Sequence, residues 1–188
     1  MCAENNLTVA QPSTPASYFH LLRQQAYARP RRPLVVFTPK QLLRLKAAAS
    51  GVEDFTTGTF QPVLGDTTAN PSSVDRVLLC TGRVYYDLVA ERAKRGDDRT
   101  AIVRLEQLYP LDVEGIRREV AKYAGAEVVW VQDEPENQGA WSFVHVNLPE
   151  DLPRVRVVSR PASASTAAGT AKKHQAQQAV LLEQAFAR

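Results

Sequence analysis

Apolar residues in the second half of this chain fall into four short runs: Arg76–Thr81, Ala101–Leu105, Glu127–Val131 and Val155–Val158. Each run predicts a short strand. Segments of helical period separate them. After Gly82, the residues Val84, Tyr85, Leu88 and Val89 form one stripe; after Tyr109-Pro110, Asp112 caps a helix with Val113, Ile116 and Val120 inward. Further helices are predicted from about Trp141 to Leu148 and, beyond a small-residue loop at Ser163–Thr170, near Lys172 to Ala187. Strand alternating with helix predicts an α/β fold with an open, mostly parallel sheet and helices on both faces. No internal repeat of useful length is present.

The front of the chain reads as the tail of another domain. Leu7–Val9 is a short apolar strand. Thr14 then offers an N-cap and Pro15 a first helical residue, where the missing N–H costs nothing. Phe19, Leu22 and Ala26 share one face of the predicted helix, which ends in Arg29-Pro-Arg-Arg-Pro33 because the residue before a proline avoids the α region. Pro33–Phe37 is apolar at every side chain and predicts a strand of the buried parallel type, followed by Thr38-Pro-Lys40. Residues 47–73 are linker-like, and the boundary is placed near Asp66, giving units 1–66 and 67–188.

Charge divides the chain in the same way. From Asn5 to Val52 there is no acidic residue but seven basic ones, Arg23, Arg29, Arg31, Arg32, Lys40, Arg44 and Lys46, and the rest holds all 20 acidic residues. A positive front attracts anions such as carboxylates, phosphates or CoA, or is simply a solvated face. The basic residues are not interleaved with aromatics and no nucleic-acid motif occurs, so nucleic acid is disfavoured. Cys2 and Cys80 form neither a metal spacing nor a disulfide framework, and Cys80 lies in an apolar run as a small hydrophobe, which suits a reducing cytoplasm. Neither a membrane-length apolar run nor a signal sequence is present. A soluble, cytoplasmic protein is expected.

Candidate chemistry centres on Trp130-Val-Gln-Asp-Glu-Pro-Glu-Asn-Gln-Gly-Ala-Trp141, where a strand runs into Asp133, Glu134 and Glu136. Open α/β sheets place ligands or partners at such strand ends. Glu134 and Glu136 could serve as general acid and base, or accept hydrogen bonds from a helix start and a partner's arginines. Neither a Walker loop nor a dinucleotide fingerprint exists, and Gly82 alone reads as a tight turn. Of three histidines, His20, beside Phe19 and Arg23, could bind a carboxylate or shuttle a proton, or be an ordinary helical histidine. His145 and His174 have no neighbours that suggest chemistry, and no complete catalytic set or metal site can be assembled.

Four motifs together resemble one family: Arg104-Leu-Glu-Gln-Leu-Tyr-Pro110, Glu134-Pro-Glu-Asn-Gln-Gly-Ala-Trp141, Gln11-Pro-Ser-Thr-Pro-Ala-Ser-Tyr-Phe-His-Leu-Leu-Arg23 and Pro33-Leu-Val-Val-Phe-Thr-Pro-Lys40. In order and over nearly the whole chain, they resemble the C-terminal end of the E1 component of 2-oxoglutarate dehydrogenase, closest to the actinobacterial decarboxylase-type forms. The resemblance implies the end of a transketolase-like pyrimidine-binding domain followed by a transketolase C-terminal-like domain. It implies a thiamine-diphosphate and magnesium enzyme of the citric acid cycle that decarboxylates 2-oxoglutarate and passes a succinyl group to a lipoyl E2 succinyltransferase. His20 matches a histidine that contacts the substrate carboxylate. Lys40, Arg44 and Lys46 are candidates for an acetyl-CoA effector site. Glu134, Asn137, Gln138 and Trp141 are expected at a homodimer interface.

The same resemblance leaves gaps. The family's activating glutamate and its diphosphate- and metal-binding domain have no counterpart here. The isolated chain is therefore expected to bind no cofactor and to be inactive without the remainder of E1. Its front strands and helix are expected to expose apolar faces when alone. A stand-alone acetyl-CoA-sensing or docking module is the competing expectation, and a decayed fragment a third.

Overall fold

The computed structural model describes residues 2–188. Its main sheet has five strands in the order β3-β5-β4-β7-β8: β3 (Val63–Leu64), β4 (Arg76–Cys80), β5 (Thr100–Leu105), β7 (Glu127–Pro135) and β8 (Arg156–Arg160). β4, β5, β7 and β8 run parallel, with Leu78 opposite both Ile102 and Val129; only β3 is antiparallel. The α/β fold is as the sequence predicts.

Both faces of this sheet are covered, which fits the apolar character of its central strands. Val77, Leu79, Val103, Leu105, Val128 and Trp130 face α4 (Val113–Val120) and α5 (Trp141–Asn147), meeting Ile116, Val120 and Val144. Leu78, Cys80, Ile102, Val129 and Val131 face α3 (Val84–Arg95) and α6 (Ala171–Phe186), meeting Leu88, Leu181 and Phe186. Asp112 caps α4 through Gly115 N–H. Burial pushes the Cys80 thiol up to about 12, so it is an inert hydrophobe rather than a nucleophile.

The front folds as a smaller sheet, β2-β1-β6, of β1 (Thr8–Ala10), β2 (Leu34–Val36) and β6 (Gln107–Tyr109). β1 pairs in parallel with β2 and antiparallel with β6. Since β6 follows β5 after the single residue Glu106, one continuous chain segment joins the two sheets. Neither β3 nor β6 is predicted from the sequence: β3 lies in the linker-like stretch, and β6 follows β5 after one residue and does not stand out as a run of its own.

Four sequence expectations need correction. α1 spans Pro15–Tyr27 with Thr14 capping Ser17 N–H as predicted, but its inward residues are Ala16, His20 and Leu21. Phe19 and Leu22, the apolar stripe of the sequence pattern, are 41% and 49% exposed. β2 is not a buried strand: it lies at the sheet edge, with Val35 44% and Phe37 52% exposed. These exposed apolar side chains match the expectation that the front unit is an incomplete layer. The linker-like stretch is ordered, with the end of a 3-10 turn at Lys46–Ala48, α2 (Glu53–Thr56), β3, and buried Ala48, Phe60 and Val63; a further 3-10 turn, Lys40–Arg44, precedes it. Finally, β7 continues to Pro135, so Asp133 and Glu134 are strand residues and only 136–140 form the turn.

Asp66 anchors the stretch that leads into the main sheet. Its carboxylate, 5% exposed, accepts the Ile102 N–H (2.9 Å), the Thr68 N–H (2.9 Å) and hydroxyl (2.8 Å), and pairs with Arg92. Burial opposes the charge, but these four donors outweigh it and hold the carboxyl below its ordinary value of 3.8. Stability from this group is complete above the unfolded-state pKa, about 3.9, and is lost as pH falls through the lower folded value. Asp66→Ala should therefore lower the unfolding free energy by roughly 2–4 kcal/mol in urea titrations at pH 7. Asp66→Asn should flatten the loss of stability below about pH 4; an acid limb identical to wild type would show that another group controls it.

Candidate functional site

The C-terminal ends of β4, β5 and β7 meet where the strand order reverses, the place at which open α/β sheets bind ligands. Here the crevice is filled by the chain itself. Gln11 reaches Thr81 Oγ1 and lies against Gly82, where a Cβ would come within 2.5 Å of the Gln11 amide nitrogen. Gly82 has φ +66°, so the tight turn predicted after β4 needs glycine both for its backbone and for this close approach. The space that would hold a phosphate in a nucleotide-binding relative is occupied by side chains.

Ser13 and Glu106 complete the plug. Glu106 is fully buried and accepts Ser13 N–H (2.7 Å), Ser13 Oγ (2.6 Å) and Ser17 Oγ (2.6 Å). Arg104 donates to Ser13 Oγ at 2.9 Å and lies over the Tyr85 ring at 4.1 Å. Tyr86 donates to the Ser13 carbonyl at 2.7 Å; burial raises its hydroxyl to about 12, so it stays protonated and keeps that bond. The sequence signalled Arg104–Pro110 as a motif but gave Glu106 no role, since its partners lie 93 and 89 residues away.

One helical turn after Ser17, His20 is 5% exposed. Its Nε2 lies 2.7 Å from the Asp54 carbonyl and so carries the hydrogen; Nδ1 is buried without a hydrogen-bond partner. The segment around α2 covers it: Phe55 meets Phe19 edge-on at 5.7 Å, and Arg23 donates to the Gly58 carbonyl at 2.6 Å. Arg23 thus secures this cover rather than backing the histidine.

The acidic turn is organised by Gln132, which sequence reasoning passed over. Buried at 1% exposure, its Oε1 accepts from Trp130 Nε1 and Trp141 N, both at 3.0 Å, and its Nε2 donates to the Pro135 (3.0 Å) and Gln138 (2.7 Å) carbonyls. Asp133 pairs with Arg83 at 2.8 Å. Glu134 lines a cleft of about 490 Å³ between the two sheets, together with Gln11, Phe37, Thr81 and Tyr109. Burial, and then the neighbouring Asp133 charge, hold its carboxyl above the usual carboxylate range. Glu136 is exposed and lies outside that cleft, so the two glutamates do not share one environment. Asn137 and Gln138 donate to the Ser163 carbonyl at 3.1 and 2.9 Å, tying the turn to the small-residue loop. Trp130 is fully buried, while Trp141 is half-buried against the exposed His145 at 4.7 Å. His174 is exposed as well.

Arg44 and Lys46 line a second cleft of about 430 Å³ whose other walls include Pro15, Tyr18, Leu42 and Leu45; Lys40, one turn earlier, does not. Among the described residues, none of these three cations forms an ion pair.

Comparison with known proteins draws these features together. Residues 49–186 match the family described as 2-oxoglutarate dehydrogenase C-terminal, and residues 1–46 match the transketolase pyrimidine binding domain. The chain belongs to the 2-oxoglutarate dehydrogenase E1 family. The 2-oxoglutarate dehydrogenase E1/E2 component of Corynebacterium glutamicum is 50% identical over 192 residues, covering 99% of this chain and 16% of that protein. The E1 component of Cupriavidus necator is 49% identical, covering 100% of the chain and 20% of the protein. A multifunctional 2-oxoglutarate metabolism enzyme of Mycobacterium sp. strain JLS is 44% identical over 98% of the chain, and a 2-oxoadipate dehydrogenase complex component E1 of Danio rerio 43% identical over 96%. The chain spans about a sixth to a fifth of the length of these relatives. Its span includes the C-terminal region that the sequence motifs pointed to.

The four bonds to Gln132 generate a direct expectation. Gln132→Leu should leave two N–H groups and two carbonyls without partners and destabilise the chain by roughly 2–4 kcal/mol. Tryptophan emission should shift to the red as the Trp130–Trp141 turn loosens. Unchanged emission and an unchanged urea midpoint would remove Gln132 from its central place.

Proposed function

We propose that this chain acts as the C-terminal part of a thiamine-diphosphate-dependent E1, contributing a substrate-contacting histidine and subunit contacts to the oxidative decarboxylation of 2-oxoglutarate. The acyl group would pass to the lipoyl group of an E2 partner. The observation that carries this reading is the match along nearly the whole chain to E1 components, combined with a front sheet whose edge strand and helix leave Val35, Phe37, Phe19 and Leu22 exposed. An apolar edge of this kind suits burial against further layers of a pyrimidine-binding domain.

His20 is the residue we assign to the substrate. With Nε2 held by a carbonyl, its Nδ1 is the free nitrogen, able to donate to a carboxylate once the ring is protonated. The relatives named for 2-oxoglutarate and for 2-oxoadipate share this region, which favours a role toward a group common to both, a carboxylate, over a role in measuring chain length.

The residues here do not fit the cofactor by themselves. Among the described residues, no group of three histidines, cysteines or acidic side chains could hold a metal ion, and the switch-point crevice is plugged by Gln11 and Ser13. Thiamine diphosphate and magnesium would be bound, on this reading, by the remainder of E1. We place the working boundary between the front unit and the C-terminal domain near Asp66, and Glu134, Asn137, Gln138 and Trp141 near a homodimer contact in a cytoplasmic enzyme. A second reading, a stand-alone acetyl-CoA-sensing module, is favoured by the unpaired Arg44 and Lys46 beside an apolar cleft, with Lys40 close by in sequence.

Two measurements test these readings. Intact mass and peptide mapping of the native protein should find these residues in a species far above 20.8 kDa that decarboxylates 2-oxoglutarate. A native 20.8 kDa species that binds acetyl-CoA without turnover would favour the sensing module instead, as would micromolar thiamine-diphosphate binding by these 188 residues alone argue against a borrowed cofactor site. For the interface, Glu134→Lys should weaken self-association in sedimentation velocity more than it lowers the melting temperature. Unchanged assembly would place the contact elsewhere.

A further inference from the structure

We infer that Glu106 is the positioning residue for His20, fixing the axial position and rotation of α1 from the main sheet; this rests on the reading of His20 as the substrate-contacting residue. All three donors to the Glu106 carboxylate come from the entry to α1: the N–H and hydroxyl of Ser13, just before the Thr14 cap, and the hydroxyl of Ser17 in the first turn. Oε1 takes the Ser13 hydroxyl, while Oε2 takes the Ser13 N–H and the Ser17 hydroxyl. The carboxylate therefore holds both the entry to the helix and its first turn. A carboxylate that grips both sets the direction in which the Ser17 side of the helix points, as well as how far the helix slides along its axis. Its charge also complements the positive end of the helix.

His20 lies on the same side, three residues beyond Ser17. The remainder of α1 is held to the segment around α2, through His20, Arg23 and Phe19, and not to the main sheet. Its outer residues Phe19, Leu22 and Tyr27 are exposed, while Leu21 joins the small cluster with Ala10 and Phe60, with Tyr18 packed against it. The grip at Ser13 and Ser17 is what ties the helix to the chain segment at the end of β5.

Glu106 is itself immobilised. It is the single residue between β5 and β6; its N–H donates to the Pro62 carbonyl at 2.8 Å and its carbonyl accepts Gln11 N–H at 2.8 Å. The main sheet thereby dictates where His20 Nδ1 points. Buried carboxylates that serve only to join two units would make no particular demand on a histidine one turn away. The positioning role does.

The experiment reads the His20 ring directly, by nitrogen-15 NMR of the imidazole in the 188-residue protein, with near-UV circular dichroism as the check on folding. Glu106→Gln keeps the shape but replaces one acceptor with a donor. It should abolish the single Nε2–H tautomer and the slowly exchanging Nε2–H signal that the Asp54 carbonyl maintains. Ser17→Ala should produce the same loss in weaker form, and Ser17→Thr, which keeps the hydroxyl, should restore the wild-type spectrum. If Glu106→Gln fails to fold, Ser17→Ala decides, since it leaves two of the three donors in place. A folded Ser17→Ala variant whose His20 spectrum equals wild type overturns the proposal. The reading of His20 is tested apart from this, by His20→Asn in the whole E1. An unchanged KM for 2-oxoglutarate would sink that reading while leaving the spectroscopic result intact.

Discussion

A carboxylate taken out of water must be met by donors or it drives the structure apart. Glu106 meets that demand entirely with groups from the front of the chain. It stands at the bend between the strand that belongs to the main sheet and the strand that joins the small one, so its satisfaction requires both sheets to be docked. Ser13, 1% exposed, returns the dependence: its N–H, hydroxyl and carbonyl are bound by Glu106, Arg104 and Tyr86 from the C-terminal side. Either unit without the other would bury unpaired polar groups.

The same device recurs at the other strand ends. Asp66 ties the segment before β4 to β5 and α3, and Gln132 ties the end of β7 to the turn and to α5. Each is one buried polar side chain that collects backbone groups from segments with no regular ladder of their own. This is how irregular stretches settle into one conformation while apolar packing holds only the strands and helices. It also explains why the switch-point crevice holds no ligand cradle. The positions that would make one are spent on attaching the front unit.

The front unit is built differently. Its helix presents Phe19 and Leu22 outward, its edge strand leaves Val35 and Phe37 exposed, and among the described residues its basic side chains form no ion pair. The C-terminal unit has two covered faces and most of the ion pairs. Such an asymmetry suits a front unit shaped for further partners, in keeping with relatives five to six times longer.

Much of the architecture was legible in the residues. The four apolar runs became β4, β5, β7 and β8 because a sheet covered on both faces favours apolar residues in its central strands, and Thr14 and Asp112 capped their helices because a cap acts over three residues. Local rules failed where the deciding partner was remote. The inward face of α1 is the one carrying His20 and not Phe19, since a carboxylate 89 residues from Ser17 grips that side. β2 reads as a buried strand but lies open, because apolar composition records what a strand would suit and neighbours decide what covers it. The sequence by itself determined the order and type of the elements, through periodicity and short-range hydrogen bonding. Only the tertiary structure decided which side chains converge, because the desolvation of Glu106, Asp66 and Gln132 is set by segments that meet only when the chain has folded.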